Sequence, residues 1–189
     1  MRYRGAMSGT RRQQILATAA GLFAQSGFHG VSVDELGAAC GISGPALYKH
    51  FPSKDAMLAE MLVDISEELL RVGRERSSAA ADARTALRAL VAWHVDFALH
   101  HRPLIVVQDR DWASLPATAR DRVRTLQRTY VELWADRLRE LHPGLGPAQA
   151  RAMAHATFGM LNSTPHSAML PEPDMRRILE RMAAAALGV

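Results

Sequence analysis

Tyr48, Lys49 and His50 are consecutive, Lys54 follows four residues on, and Arg12, Ser32 and Ser43 lie upstream of them. Hydroxyls, an imidazole, an ammonium and a guanidinium are the groups that donate hydrogen bonds to an oxyanion such as a phosphate. Ser32 opens the run Ser32-Val33-Asp34-Glu35, a capping-box pattern whose hydroxyl and free helix-start N–H groups make a ready anion site. Lys54 falls in the first turn of a following helix, where a cation opposes the helix dipole, and a phosphate partner explains that placement. Charge agrees. Residues 1–54 carry Arg2, Arg4, Arg11, Arg12, Lys49 and Lys54 against only Asp34 and Glu35, while 55–189 hold 17 charges of each sign. The whole excess of +4 is therefore N-terminal, and such asymmetry points to a polyanionic partner, nucleic acid or an anionic membrane surface.

A second group of residues suits a different chemistry. Trp93, His94, Phe97, Ile105, Trp112, Leu126, Tyr130, Trp134, His155, Phe158 and Asn162 combine apolar bulk with a few polar points, His94, His155 and Asn162. They fit the lining of a site for a mostly apolar molecule with one or two polar groups, or a core with satisfied polar residues. Enzyme chemistry is poorly served: there is no Gly-rich phosphate loop, no G-x-S-x-G elbow and no cysteine with a base partner. The Asp109-Arg110-Asp111 cluster reads as a salt-bridged turn. His100 and His101 are adjacent and diverge on a helix, and no His-x₃-His pair exists, so neither metal nor cofactor is expected. The single cysteine, Cys40, excludes an internal disulfide and a Cys₄ zinc module and reads as a packed core thiol. No apolar run approaches the roughly 18 residues of a membrane helix, and nothing follows Arg2 and Arg4 to make a signal peptide; a cytoplasmic chain without membrane contact is expected.

Helices must position these residues, because the apolar residues recur at helical spacing and no strand-like alternation is found. Ile15, Ala19, Leu22 and Phe23 trace a first helix from Arg11 that Gly27 stops. Ser32 caps a second, ending at Cys40-Gly41; Ser43 caps a third, with Pro45 in its first turn, running to about His50. Ser53 caps a long fourth helix to about Arg76, and Asp82 starts a fifth that Pro103 interrupts. A short segment, Leu104 to Trp112, precedes Pro116 and a long helix up to His142-Pro143-Gly144. Gly146-Pro147 opens another, Thr164 to Pro173 frames a loop, and Asp174 caps the last. The fold class is all-α, about nine helices: a basic N-terminal unit over 1–54 with a helix-turn-helix over 32–51, and a larger helical unit over 55–189.

Two short helices joined by Gly41-Ile42-Ser43 have the form of a helix-turn-helix, whose second helix enters the major groove. The stretch from Gly41 through Tyr48-Lys49-His50-Phe51 to Asp55, extended backwards through Leu36, Val33, Phe28, Gly27, Phe23 and Ile15, resembles the recognition-helix region of TetR-family transcriptional regulators over roughly residues 11–62. The resemblance implies a three-helix DNA-binding head, a ligand-binding body and a homodimer closed by the last two long helices. Its DNA contacts would be Arg12, Ser32, Ser43, Gly44, Pro45, Ala46, Tyr48, Lys49, His50 and Lys54, with the arm Arg2 to Arg12 assisting. Gly44, Pro45 and Ala46 depart from the commoner family pattern, because none offers a side chain that hydrogen-bonds a base edge; indirect readout is expected to matter. Met153, Thr157, Leu161, Ile178, Leu179 and Met182 would form the apolar centre of the dimer.

The function this implies is a DNA-binding transcriptional regulator, a repressor that leaves its operator when a small-molecule effector binds the body: an acyl-CoA, a fatty or steroid-like molecule, or an aromatic compound. The partners are double-stranded operator DNA, a second copy of the chain and the effector. The alternative is a helical ligand-binding or protein-interaction module without specific DNA binding.

Overall fold

A computed structural model describes residues 10–189; Arg2 and Arg4 lie outside the described residues. Ten α-helices and one 3-10 turn are present, and there is no strand among the described residues. They are α1 (Arg11–Ser26), α2 (Val33–Ala39), α3 (Gly44–Leu47), α4 (Lys54–Ser78), α5 (Ala83–His100), α6 (Arg102–Asp111), α7 (Ala117–Leu141), α8 (Pro147–Leu161), α9 (Thr164–Ser167) and α10 (Glu172–Leu187), with the 3-10 turn at Trp112–Ser114.

The helix starts follow local chemistry. Side-chain oxygens of Thr10, Ser32, Ser43, Ser53 and Asp82 each accept from the backbone N–H three residues on, closing one of the open donors of a helix start. Two boundaries differ from the sequence reading. The segment Thr164 to Ser167 is a helical turn rather than loop, held by Thr164 Oγ1, buried, which donates to the Ala98 carbonyl at 2.5 Å. The last helix begins at Glu172, two residues before Asp174, with Pro171 at its cap and Pro173 in its first turn, where a missing N–H has no consequence.

Two cores result. One joins Ile15, Phe23, Leu36, Leu47 and Phe51 of α1 to α3 with Met57, Leu58 and Leu62 of α4, and reaches Val107, Leu115 and Val123 of the body. The other gathers α5, α7, α8 and α10 around Trp134, Leu87, Leu90 and Leu138. The first turns of α4 thus belong to the head and its second half, from Leu70, to the body. One helix therefore contributes to both cores. At Gly73 a Cβ would lie 2.7 Å from the Tyr130 ring, so the glycine is what lets α7 press Tyr130 against α4.

Candidate nucleic-acid interface and ligand cavity

The helix-turn-helix is closed by two glycines. A Cβ on Gly37 would lie 2.8 Å from the Gly44 nitrogen and 2.9 Å from the Ile42 oxygen, and one on Gly44 would lie 2.2 Å from Asp34 Oδ1. Gly41 makes the turn between them with φ +67°, a left-handed conformation that favours glycine. Because α2 and α3 touch backbone to backbone here, α3 presents its other side outward. Ser43, Pro45, Tyr48 and Lys49 are exposed, Ala46 and His50 are half-buried, and Tyr48 is 54% exposed while Leu47 and Phe51 fill the core. An exposed tyrosine on a capped single-turn helix has no packing reason to be there.

Four of the residues expected to touch DNA are accounted for differently. Gly44 is buried against Asp34 and has no face toward a groove. Ser32 is engaged with Glu35, whose Oε2 accepts from both the Ser32 hydroxyl and its N–H at 2.7 Å. Those bonds hold the Glu35 carboxyl below its ordinary pKa, so the anion site expected at this helix start is already filled by a carboxylate. Arg12 Nε donates to Glu60 Oε1 at 2.5 Å, another of its nitrogens donates to the His50 carbonyl, and its guanidinium lies 4.0 Å from the Phe51 ring centre. Lys54 Nζ donates to the carbonyls of Phe28 and Val31, each at 2.7 Å, above the Phe28 ring. An internal pair of carbonyls takes two of the three donors of this cation in the first turn. Arg12 ties the end of α3 to α4 and Lys54 ties the start of α4 to the α1–α2 connection; the outward set is Ser43, Pro45, Ala46, Tyr48, Lys49 and His50.

In the body, α4 to α8 enclose a cavity of about 280 Å³. Eight of the residues expected at an effector site line it: His94, Phe97, Ile105, Leu126, Tyr130, His155, Phe158 and Asn162. The rings of His94, Tyr130 and Phe158 are near-parallel, with centroids 4.7 to 5.8 Å apart, and Trp134 stands edge-on to all three. His94 Nε2 lies 3.1 Å from Asn162 Oδ1, and burial lowers the His94 pKa to about 4, so its ring is neutral at physiological pH.

The tryptophans depart from expectation. Trp134 is fully buried behind this wall. Trp93 donates to the Leu69 carbonyl at 3.1 Å and lies outside the lining. Trp112 packs on the head-side core beneath Arg124. Ser66, Leu69, Gln108, Asp109, Gln127, Val131 and Gly159 line the cavity as well; in sequence Gln108, Asp109 and Gln127 resemble ordinary surface, and Leu69 and Val131 resemble ordinary core.

The residues expected at a dimer centre are also divided. Thr157, Leu161 and Leu179 point into the protomer's own core, whereas Met153 and Ile178 are half-buried and Met182 is 47% exposed. The outer faces are instead Ala152, His155, Ala156 and Gly159 on α8 and Arg181, Met182 and Ala185 on α10. Among the described residues, no group of three or more His, Cys, Asp or Glu side chains is placed to hold a metal, and no helix is long and apolar enough to cross a membrane.

Comparison with known proteins follows the same division into head and body. Residues 15–61 match the family described as "Bacterial regulatory proteins, tetR family", and residues 80–166 match "Tetracyclin repressor-like, C-terminal domain". The chain is 38% identical over 81 residues to the HTH-type transcriptional repressor KstR2 of Rhodococcus jostii (strain RHA1), covering 43% of this chain and 40% of that protein. It is 31% identical over 110 residues to the HTH-type transcriptional activator FasR of Mycolicibacterium smegmatis, covering 58% and 50%. The matched stretches thus span half or less of those relatives' lengths. A TetR-family transcriptional regulator from Bordetella parapertussis 12822 superposes with a TM-score of 0.83 at 25% identity, covering 93% of both chains. With one match over the helix-turn-helix head and another over the helical body, this chain belongs to the TetR family of bacterial regulatory proteins.

Proposed function

We propose that the chain is a homodimeric DNA-binding transcriptional regulator, a repressor released from its operator when an effector enters the cavity. The observation that carries this is the exposed surface of α3, where Ser43, Pro45, Tyr48 and Lys49 stand outward while Arg11, Arg12 and Lys54 bond to other groups of the head. Tyr48 and Lys49 contact phosphates, His50 and Ser43 flank them, and Pro45 or Ala46 meets a thymine methyl. With so few base-reading donors, specificity comes largely from the shape and deformability of the operator.

The dimer forms through the outer faces of α8 and α10. Ala152, Ala156 and Gly159 make a small-residue stripe, a Cβ at Gly159 meets nothing within 4 Å, and Met182, on the α10 that packs against α8, is an exposed apolar side chain. Two heads read successive major grooves about 34–36 Å apart. A ligand that binds better to a wrongly spaced pair lowers operator affinity by its differential affinity for the two states. The named relatives include both a repressor and an activator; repression asks the least of this chain, since blocking a promoter needs only operator binding.

The test is fluorescence anisotropy with the duplex upstream of the chain's own gene against a random duplex of equal length, across salt concentrations. Preference for the upstream duplex with a steep negative salt slope is expected. Equal binding to both, or none, makes the chain a helical ligand-binding module instead.

A further inference from the structure

We infer that the cleft between α1 and α4 to α6 is a second ligand site, separate from the cavity, and that it takes an amphipathic organic cation, an apolar body carrying a permanent positive charge. This goes beyond the regulator reading and does not depend on it.

The cleft holds about 610 Å³, within the range of about 300–1,000 Å³ that accommodates drug-sized ligands, and it shares no lining residue with the cavity. A thin wall divides the two: Ile65 of the cleft packs in one small cluster with Leu69, Phe97 and Ile105 of the cavity. Apolar surface comes from both sides of the cleft, from Leu16 and Ala20 on α1 and from Met61, Ile65 and Leu104 on α4 and α6. A bare metal ion or a small hydrated one has no use for such walls; an organic body does. Because α1 belongs to the head, an occupant touches head and body at once.

Charge sets the sign of that occupant. Three carboxylates line the cleft, Asp64, Glu68 and Asp96, against one guanidinium, Arg76. Two of the three have partners that do not line it: Glu68 pairs with Arg71 at 2.7 Å and Asp96 with Arg176 at 2.6 Å. Arg76 lies above the Trp93 ring and 3.9 Å from Asp96. Asp64 is different. It is exposed, one helical turn before Glu68, and it makes no ion pair or hydrogen bond among the described residues. Arg12 acts on it from beyond ion-pair distance while bonding Glu60 and the His50 carbonyl. Burial, with Glu60 and Glu67 close by, pushes the Asp64 carboxyl above its ordinary pKa, the response of a carboxylate short of positive charge. His101 does not supply it, since burial and the neighbouring His100 hold its pKa below the ordinary value. A ligand cation placed between Asp64 and Glu68, whose Cβ atoms at this spacing are about 5–6 Å apart, serves both.

Calorimetry on the full chain without DNA compares tetraphenylphosphonium with tetraphenylborate, ions of one shape and opposite sign. The chain carries a net charge of +4, so unspecific attraction favours the borate, and a preference for the phosphonium ion requires a local acidic site. The phosphonium ion is expected to bind at one site, about tenfold tighter than the borate. Asp64→Asn is expected to weaken it about fivefold, the equivalent of one exposed ion pair at about 1 kcal/mol. Ala17→Trp places an indole in the cleft from an exposed position on α1 and is expected to abolish binding, with native helix content by circular dichroism in both variants. Equal or tighter binding of the borate, no binding of the phosphonium ion at its solubility limit, or binding undiminished in either variant overturns the inference. The assay needs no operator, so its failure leaves the regulator reading standing, and failure to bind DNA leaves this site standing.

Discussion

Arg110 on α6 donates from Nη1 to the carbonyl of Ala24, near the end of α1, at 3.1 Å. A second nitrogen reaches the neighbouring Phe23 carbonyl, and the Asp111 carboxylate steadies the guanidinium at 3.2 Å. A cation is thereby seated on the negative end of the α1 dipole. Asp109 and Gln108, one and two residues before it, line the cavity, so the same short helix touches both the ligand space and the head.

Arg110→Ala is expected to lower stability by about 1–2 kcal/mol, from the loss of charge-assisted bonds to two carbonyls. It is also expected to weaken the effect of a cavity ligand on operator affinity more than it weakens ligand binding itself. Urea denaturation and anisotropy with and without ligand separate the two. An unaltered ligand effect would remove α6 from the coupling.

Lys49→Ala should weaken DNA binding across sequences and reduce the salt slope by about one, and Tyr48→Phe should weaken it without changing that slope. Lys54→Ala should behave otherwise. It frees the Phe28 and Val31 carbonyls and is expected to cost about 1–3 kcal/mol of head stability, with a salt slope equal to the native one. A slope that falls by one in Lys54→Ala would restore Lys54 as a phosphate contact.

Gly37→Ala should destabilise the head by about 1–3 kcal/mol, because its Cβ meets backbone atoms at 2.8 to 3.0 Å. Gly44→Ala should cost less, since the atom it meets is the movable end of Asp34. Thermal melts of the two variants rank them, and the reverse order would mean that the backbone contact is soft.

Gly159→Glu combined with Met182→Glu is expected to convert a dimer into a folded monomer of 20.7 kDa with native helix content and no operator affinity. Light scattering and circular dichroism read both properties. A dimer that survives both changes would place the interface elsewhere.

The pKa of His94, about 4 in the fold against about 6.5 unfolded, has a definite sign. Above pH 6.5 both states are neutral there and stability is unaffected. Below it the unfolded chain binds the proton first, so stability falls from pH 6.5 toward 4, by up to about 3 kcal/mol. Urea titrations at pH 7.5, 5.5 and 4.5 should show this loss in the native chain and not in His94→Phe; equal losses in both would assign the acid sensitivity to other groups.

Much of this is legible in local chemistry. Ser32, Ser43, Ser53 and Asp82 each mark a helix start that the fold keeps, since a cap bond spans only three residues. The roles of Arg12 and Lys54 are not legible, because their partners Glu60, His50, Phe28 and Val31 lie 23 to 48 residues away. On α8 the periodicity also misleads. Ala152 and Ala156 face out while Ala154 and Leu161 face in, so small residues on both sides leave the apolar signal without a clear direction. Tryptophan type likewise says that Trp93, Trp112 and Trp134 need cover, not which cavity or core provides it.

The backbone contact of Gly37 with Ile42 and Gly44 divides the recognition unit into a fixed hinge and a replaceable reading head. Positions 45, 48 and 49 can drift or be recoded for a new operator, because their side chains stand outward, whereas position 43 must also keep a capping oxygen for α3. Grafting α3 onto a head with a bulkier residue at 37 would shift the angle at which every one of those positions meets the DNA, because what it meets is the backbone of the turn and of α3.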